Sequence, residues 1–176
     1  MKLRELNALP EEQASEALAA CCGSSVWVKA MLARRPFPSP EALHAAAAES
    51  WIALEARDWR EAFAQHPRIG GGEQAAAPAQ SERGKAWSAR EQQGMGSAAE
   101  PVRQALAAVN REYERRFGFI YIVCAAGKSA EELLALARSR LANRPEQELA
   151  IAAGEQQKIT RLRLDNLLVE PNPESA

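Results

Sequence analysis

One stretch of the chain, Phe119-Ile120-Tyr121-Ile122-Val123-Cys124, has the β-branched and aromatic composition of a strand, and no second stretch matches it. A strand cannot form a sheet alone, so the rest of the chain must fold as helices and this stretch becomes a buried extended segment between them. Its backbone donors and acceptors then need partners other than a neighbouring strand, and a bound ligand is one candidate. The expected fold is all-α: a compact single-domain helical fold of about seven to eight helices with one buried extended segment. A length of 176 residues with 47% hydrophobic content suffices for one core and leaves too little for two comfortable domains.

Helix starts and stops punctuate the remainder. Pro10 opens the first expected helix, with Glu11 and Glu12 at its positive end, and Gly23 closes it. Ser25 starts a short second helix that stops before Pro36. Ser39, with Pro40 in the first turn, caps a third, on which Leu43, Ala47, Trp51 and Leu54 form one stripe. His44 lies beside that stripe and reads as an edge histidine. Asp58 and Glu61 stand three apart as a capping box for a helix that ends at His66-Pro67. A helix resumes near Ser81, and Glu100-Pro101 opens a long one that closes at Gly118. Ser129 and Glu132 form a second capping box, and the last helix runs from about Glu146 to Leu168. In that helix Gly154 is expected to mark close packing. Arg163 stands four residues from both Ile159 and Leu167, so its guanidinium leaves from the apolar face and needs an anion or a network.

Several function classes are excluded on composition. A net charge of -1 offers no electrostatic case for nucleic acid. No apolar run approaches a membrane span and no signal-peptide region is evident, so a soluble cytoplasmic protein is expected. Three cysteines make no disulfide framework, and Cys22 reads as core filler. Two histidines, with no paired cysteines and no His-Glu motif, give no metal site. Gly70-Gly71-Gly72 follows no strand, and Lys85 is followed by Ala86, so neither makes a phosphate loop.

Two clusters carry candidate chemistry. His66 sits at a helix-to-loop corner whose backbone Pro67 restricts to extended conformations, which fixes the ring's point of departure. Ser88, Glu91 and Gln92 stand at i, i+3 and i+4, which places a hydroxyl, a carboxylate and an amide on one helix face.

Taken together, these stretches resemble the 2-oxo-4-hydroxy-4-carboxy-5-ureidoimidazoline (OHCU) decarboxylase family, over nearly the whole chain. The resemblance is carried by Leu6-Asn7, Cys22-Gly23-Ser24 with Trp27, Arg35-Pro36-Phe37, His66-Pro67-Arg68-Ile69-Gly70, Trp87-Ser88-Ala89-Arg90-Glu91-Gln92, Phe117-Gly118-Phe119, and Lys158 to Leu164. It implies one helical domain over residues 1–170 with a tail at 171–176, a homodimer, and no metal or organic cofactor. His66 matches the catalytic histidine, with Glu91 as a second catalytic group. Pro67, Ser88, Glu91 and Gln92 match substrate-binding positions, as do the backbone groups of Phe119, Ile120, Tyr121, Ile122 and Val123. Arg163 matches the family's last-helix arginine better than Arg161 does. No stretch reads as the transthyretin-like hydrolase domain fused to some relatives, and no peroxisomal tail is evident. The implied reaction is decarboxylation of OHCU to (S)-allantoin in urate degradation. The competing class is a non-catalytic helical interaction module, which explains the capped helices but not His66, Arg163 and a lone apolar strand in one chain.

Overall fold

The computed structural model describes residues 1–70, 81–96 and 98–169. The glycine-rich stretch 71–80 and the expected tail lie outside the described residues. Among those described there are nine α-helices and no strand, so the all-α expectation holds. The ninth helix is α1 (Leu3–Ala8), which precedes the first one anticipated. It is six residues long and buries only Leu6, too little periodicity to read from sequence.

The described chain divides into two compact units, one formed by Met1–Ala62 with the chain from Gln157 onward, the other by Phe63–Gln156. The first holds α1, α2 (Glu11–Cys21), α3 (Ser25–Ala33), α4 (Pro40–Ile52), most of α5 (Ala56–Ala64) and the C-terminal half of α9 (Pro145–Val169). Local chemistry sets its helix ends. The Ser39 hydroxyl accepts from the Ala42 backbone N–H with Pro40 in the first turn, as expected, and the Ser24 hydroxyl accepts from Trp27. Trp27 is fully buried, and its indole N–H donates to the Ala47 carbonyl at 3.0 Å, so the largest core side chain leaves no unpaired donor. The start of α5 differs from expectation. Ala56 opens it, so Asp58 lies inside the first turn and its carboxylate accepts from the Glu55 backbone N–H at 3.0 Å. Glu61 is no capping partner; it accepts from both the backbone N–H and the hydroxyl of Ser25 at 3.1 Å.

The second unit contains the end of α5, α6 (Glu82–Glu91), a 3-10 turn (Gln93–Met95), α7 (Glu100–Phe117), the extended segment, α8 (Ala130–Arg140) and the first half of α9. Gly118 closes α7 at φ 74, a left-handed conformation that glycine adopts without penalty. Ser129 and Glu132 form the expected capping box on α8. An aromatic cluster fills the core, with Tyr113 against Phe117, Phe119 and Tyr121 at ring separations of 4.6, 5.8 and 5.3 Å. Beside it lies a buried ion pair. Glu148, fully buried, accepts from Arg140 Nε at 2.7 Å, from Asn143 Nδ2 at 2.7 Å and from the Tyr113 hydroxyl. Every oxygen of a carboxylate that would be costly to bury alone is thereby engaged. The expectation for Gly154 fails: it is exposed, and a Cβ there would meet nothing within 4 Å.

Candidate active site

The extended segment occupies the position expected of it, with Tyr121, Ile122 and Val123 buried and Ile120 half-buried. Side chains of the protein itself stitch part of its backbone. The Ile122 carbonyl accepts from Arg140 Nη1 at 2.8 Å, the Cys124 N–H donates to Glu155 Oε2 at 2.8 Å, and the Cys124 carbonyl accepts from Lys128 Nζ at 2.7 Å. Arg140 therefore joins the buried ion pair to the segment, its guanidinium lying 4.9 Å from the Tyr121 ring centre.

His66 follows α5 at a half-buried corner, with its backbone N–H donating to the Phe63 carbonyl at 3.1 Å. The three residues after Pro67 are each fixed by a different bond. Arg68 forks onto Glu114 at 2.6 and 2.9 Å, the Ile69 carbonyl accepts from Asn110 Nδ2 at 2.9 Å, and the Gly70 N–H donates to Gln92 Oε1 at 3.2 Å. Gly70 lies at φ 73, a conformation that favours glycine, and a Cβ there would press on the side-chain ends of Met95 and Leu106 at 3.0 and 3.3 Å.

Helix α6 supplies the polar face. Gly84, Trp87 and Ser88 are buried and Glu91 and Gln92 are half-buried, so the three polar residues lie on the inward stripe and not on a solvated one. Since an N–H must meet an acceptor, the Gly70 bond fixes the Gln92 amide with its oxygen toward the His66 loop and its NH2 turned away. After Gln92 the 3-10 turn brings Gly94 so close to the Lys128 carbonyl that a Cβ would meet that oxygen at 2.1 Å. Burial chiefly pushes the Cys124 thiol up; Lys128 opposes this, and the carboxylates of Glu155 and Glu91 add to it, which sets Glu91 within electrostatic range of the segment's end. At the segment's other end Phe119 meets Phe63 at 5.3 Å between ring centres. The second unit thus gathers the His66 corner, the end of α6 and the extended segment around the 3-10 turn.

Arg163 belongs to the first unit, where it is 3% exposed, as its spacing predicted. Its Nη1 donates to the Ala20 carbonyl near the end of α2 at 3.3 Å. Cys22 is the core filler expected: burial, outweighing the Ser24 backbone, Thr160 and Arg163, pushes its thiol up to about 12. His44 pairs with Asp165 at 2.7 Å beside a cavity of about 170 Å³, lined also by Trp51, Thr160, Arg161 and Leu164 and by none of the expected site residues. Among the described residues no group of three or more His, Cys, Asp or Glu side chains is placed to hold a metal, and no helix is long and apolar enough to cross a membrane.

The sequence profile of a family described as OHCU decarboxylase matches residues 7–165. The chain belongs to the OHCU decarboxylase family. Its relatives include the uric acid degradation bifunctional protein TTL of Arabidopsis thaliana, 38% identical over 84% of this chain and 45% of that protein. The 2-oxo-4-hydroxy-4-carboxy-5-ureidoimidazoline decarboxylase of Amia calva is 40% identical over 36% of each chain. The chain thus spans less than half the length of these curated relatives. A solved structure of OHCU decarboxylase in the presence of (S)-allantoin superposes with a TM-score of 0.75 at 32% identity, covering 88% of this chain and 99% of that one. Asn110 and Glu114, which hold the loop after His66, are residues that sequence reasoning did not single out. Asn110 and Glu114 carry no local signal, because their partners lie 41 and 46 residues away.

Proposed function

We propose that this chain decarboxylates OHCU to (S)-allantoin and CO2, with His66 as the general acid/base. The observation that carries the reading is the Gly70–Gln92 bond, which ties the His66 corner to the inward polar face of α6. The substrate bears a hydroxyl and a carboxylate on one ring carbon, next to a carbon joined to nitrogen by a C=N bond. As the bond to CO2 breaks, its electron pair forms a C=C bond to the neighbouring carbon. The C=N electrons move onto nitrogen, which takes a proton. The resulting enol gives its hydroxyl proton to His66 and becomes a carbonyl, while a proton is returned to the neighbouring carbon on one face only. The substrate's own C=N bond is the electron sink, so the chemistry calls for no organic cofactor.

The other roles follow from chemical type. Glu91 accepts substrate N–H groups, and the NH2 end of Gln92 donates to a carbonyl of the ureido group or ring. Ser88, Pro67 and backbone groups of Phe119, Ile120, Tyr121, Ile122 and Val123 complete the binding site; the Ile122 carbonyl keeps a second lone pair beyond the one Arg140 engages. Arg163 stabilises an oxyanion, a role it takes from the family motif. One domain over residues 1–170, a homodimer and a cytoplasmic setting belong to the same reading.

The test supplies freshly generated OHCU and follows the product by circular dichroism. The wild-type chain should give (S)-allantoin. His66→Ala should lose roughly a factor of 100 to 10,000 in rate and leave slow, uncatalysed racemic product. A thermal melt should change little, because Pro67 and the bonds at Arg68, Ile69 and Gly70 hold the loop without the imidazole. Optically active product at near wild-type rate from His66→Ala would overturn the role given to His66. No activity from the wild type would overturn the whole reading.

A further inference from the structure

We propose that Asn110 and Glu114, one turn apart on the same face of α7, are positioning residues for His66. The inference rests on the reading of His66 as the acid/base. Asn110 Nδ2 holds the Ile69 carbonyl at 2.9 Å, and Glu114 receives both arms of the Arg68 fork at 2.6 and 2.9 Å. Two successive residues beyond Pro67 are therefore tied to one rigid helix, and Pro67 passes that constraint back to His66 through a backbone with little freedom. Tyr113, between them in sequence, turns instead to Glu148.

Energetics separates this role from a merely structural one. Asn110 is 5% exposed, and among the described residues nothing donates to its Oδ1. An amide that buries an unpaired acceptor in order to make one hydrogen bond gains the fold little, and a leucine in its place removes that penalty while leaving the Ile69 carbonyl unpaired, so the two effects oppose each other. The Arg68–Glu114 pair is similar in kind, with the arginine side chain 51% and the glutamate 27% exposed. Pairs so exposed add little stability, but a two-bond fork fixes orientation where a single contact does not. Both residues place a loop more than they stabilise a core.

The chain has two histidines, so the ring C–H resonances of His66 and His44 are separable by NMR, with His44→Gln giving the assignment. Asn110→Leu and Glu114→Gln should each shift or broaden the His66 signal and leave the His44 signal unmoved. In the decarboxylation assay kcat should fall by up to roughly 100-fold, the cost of a small misplacement. KM should stay within about threefold, since ground-state binding is not what is lost. The exchanged pair Arg68→Glu with Glu114→Arg should recover most of the kcat lost by either single change. An unmoved His66 signal with unchanged kcat in both variants overturns the proposal, as does an activity loss that only tracks the unfolded fraction. If Asn110→Leu does not fold, the claim falls for Asn110 and Glu114→Gln decides it for Glu114. A displaced His66 signal with full activity keeps the positioning and overturns the catalytic reading, so the two failures are distinct.

Discussion

Arg163 carries a charge into the core and meets the Ala20 carbonyl at the C-terminal end of α2, where the helix dipole favours a cation. Arg161, two residues earlier, is exposed. Arg163→Ala should therefore do two things: reduce OHCU turnover by roughly 100-fold or more, as removal of a charged oxyanion donor does, and lower stability by about 1–3 kcal/mol through the unpaired carbonyl. Arg161→Ala should leave both nearly unchanged. Turnover measured well below each variant's melting temperature checks the ranking, and the reverse order would mean that the family motif is aligned two residues out of place. The inward direction of Arg163 was legible because Ile159 and Leu167 lie four residues to either side, a purely local relation. The roles of Asn110 and Glu114 were not, since no rule of local spacing links either to the His66 loop.

Helix boundaries divide along the same line. Ser39 and Ser129 were readable as caps because each hydroxyl meets a backbone N–H three residues on, and Ser81, read only as the neighbourhood of a helix start, caps α6 in the same way. The start of α5 was misread because Asp58 and Glu61 fit a capping box by spacing, while Glu61 in fact reaches Ser25 across 36 residues. The extended segment was legible as buried and unpaired with a strand, but its actual partners, Arg140, Glu155 and Lys128, lie on or near helices whose approach no local pattern encodes. Among these, Arg140 and Glu148 behave as one object. Glu148→Gln should cost about 3–5 kcal/mol by stranding a buried guanidinium. Replacing both, Arg140→Met with Glu148→Leu, should recover at least half of that in urea unfolding, with the remaining loss reporting the Ile122 carbonyl, the Tyr113 hydroxyl and the Asn143 amide that lose these partners. A double-variant loss equal to the sum of the losses from Arg140→Met and Glu148→Leu alone would show that the pair is not coupled.

At the scale of the whole molecule, Cys22, Tyr113 and Tyr121 are buried weak acids held in their neutral forms. Burial raises the thiol of Cys22 and the phenol of Tyr121, each to about 12, and raises that of Tyr113 further still. In each case the folded value lies above the unfolded one, so the contribution is complete below the unfolded value. It is lost as pH rises and the unfolded chain alone releases its protons. The melting temperature should thus show no effect of these groups below about pH 8.5 and fall from there to pH 11, by an amount equivalent to roughly 3–6 kcal/mol. Cys22→Ala and Tyr121→Phe should each flatten that decline. A melting temperature constant from pH 8 to 11 would contradict the assignment of these groups as buried and neutral.

The division of the chain also sets an order of assembly. Residues 63–156 form one unit from a single uninterrupted run, whereas the other unit needs residues from both sides of that run. On the ribosome, then, the segment that carries His66, α6 and α7 emerges complete first. The first 62 residues, although made earlier, wait for the second half of α9, a delay on the order of ten seconds at ~5–20 residues per second. During that interval Trp27, Leu18 and Leu43 lack part of their eventual unit, so the apolar surface they bury in the finished fold is covered only once the second half of α9 has been made.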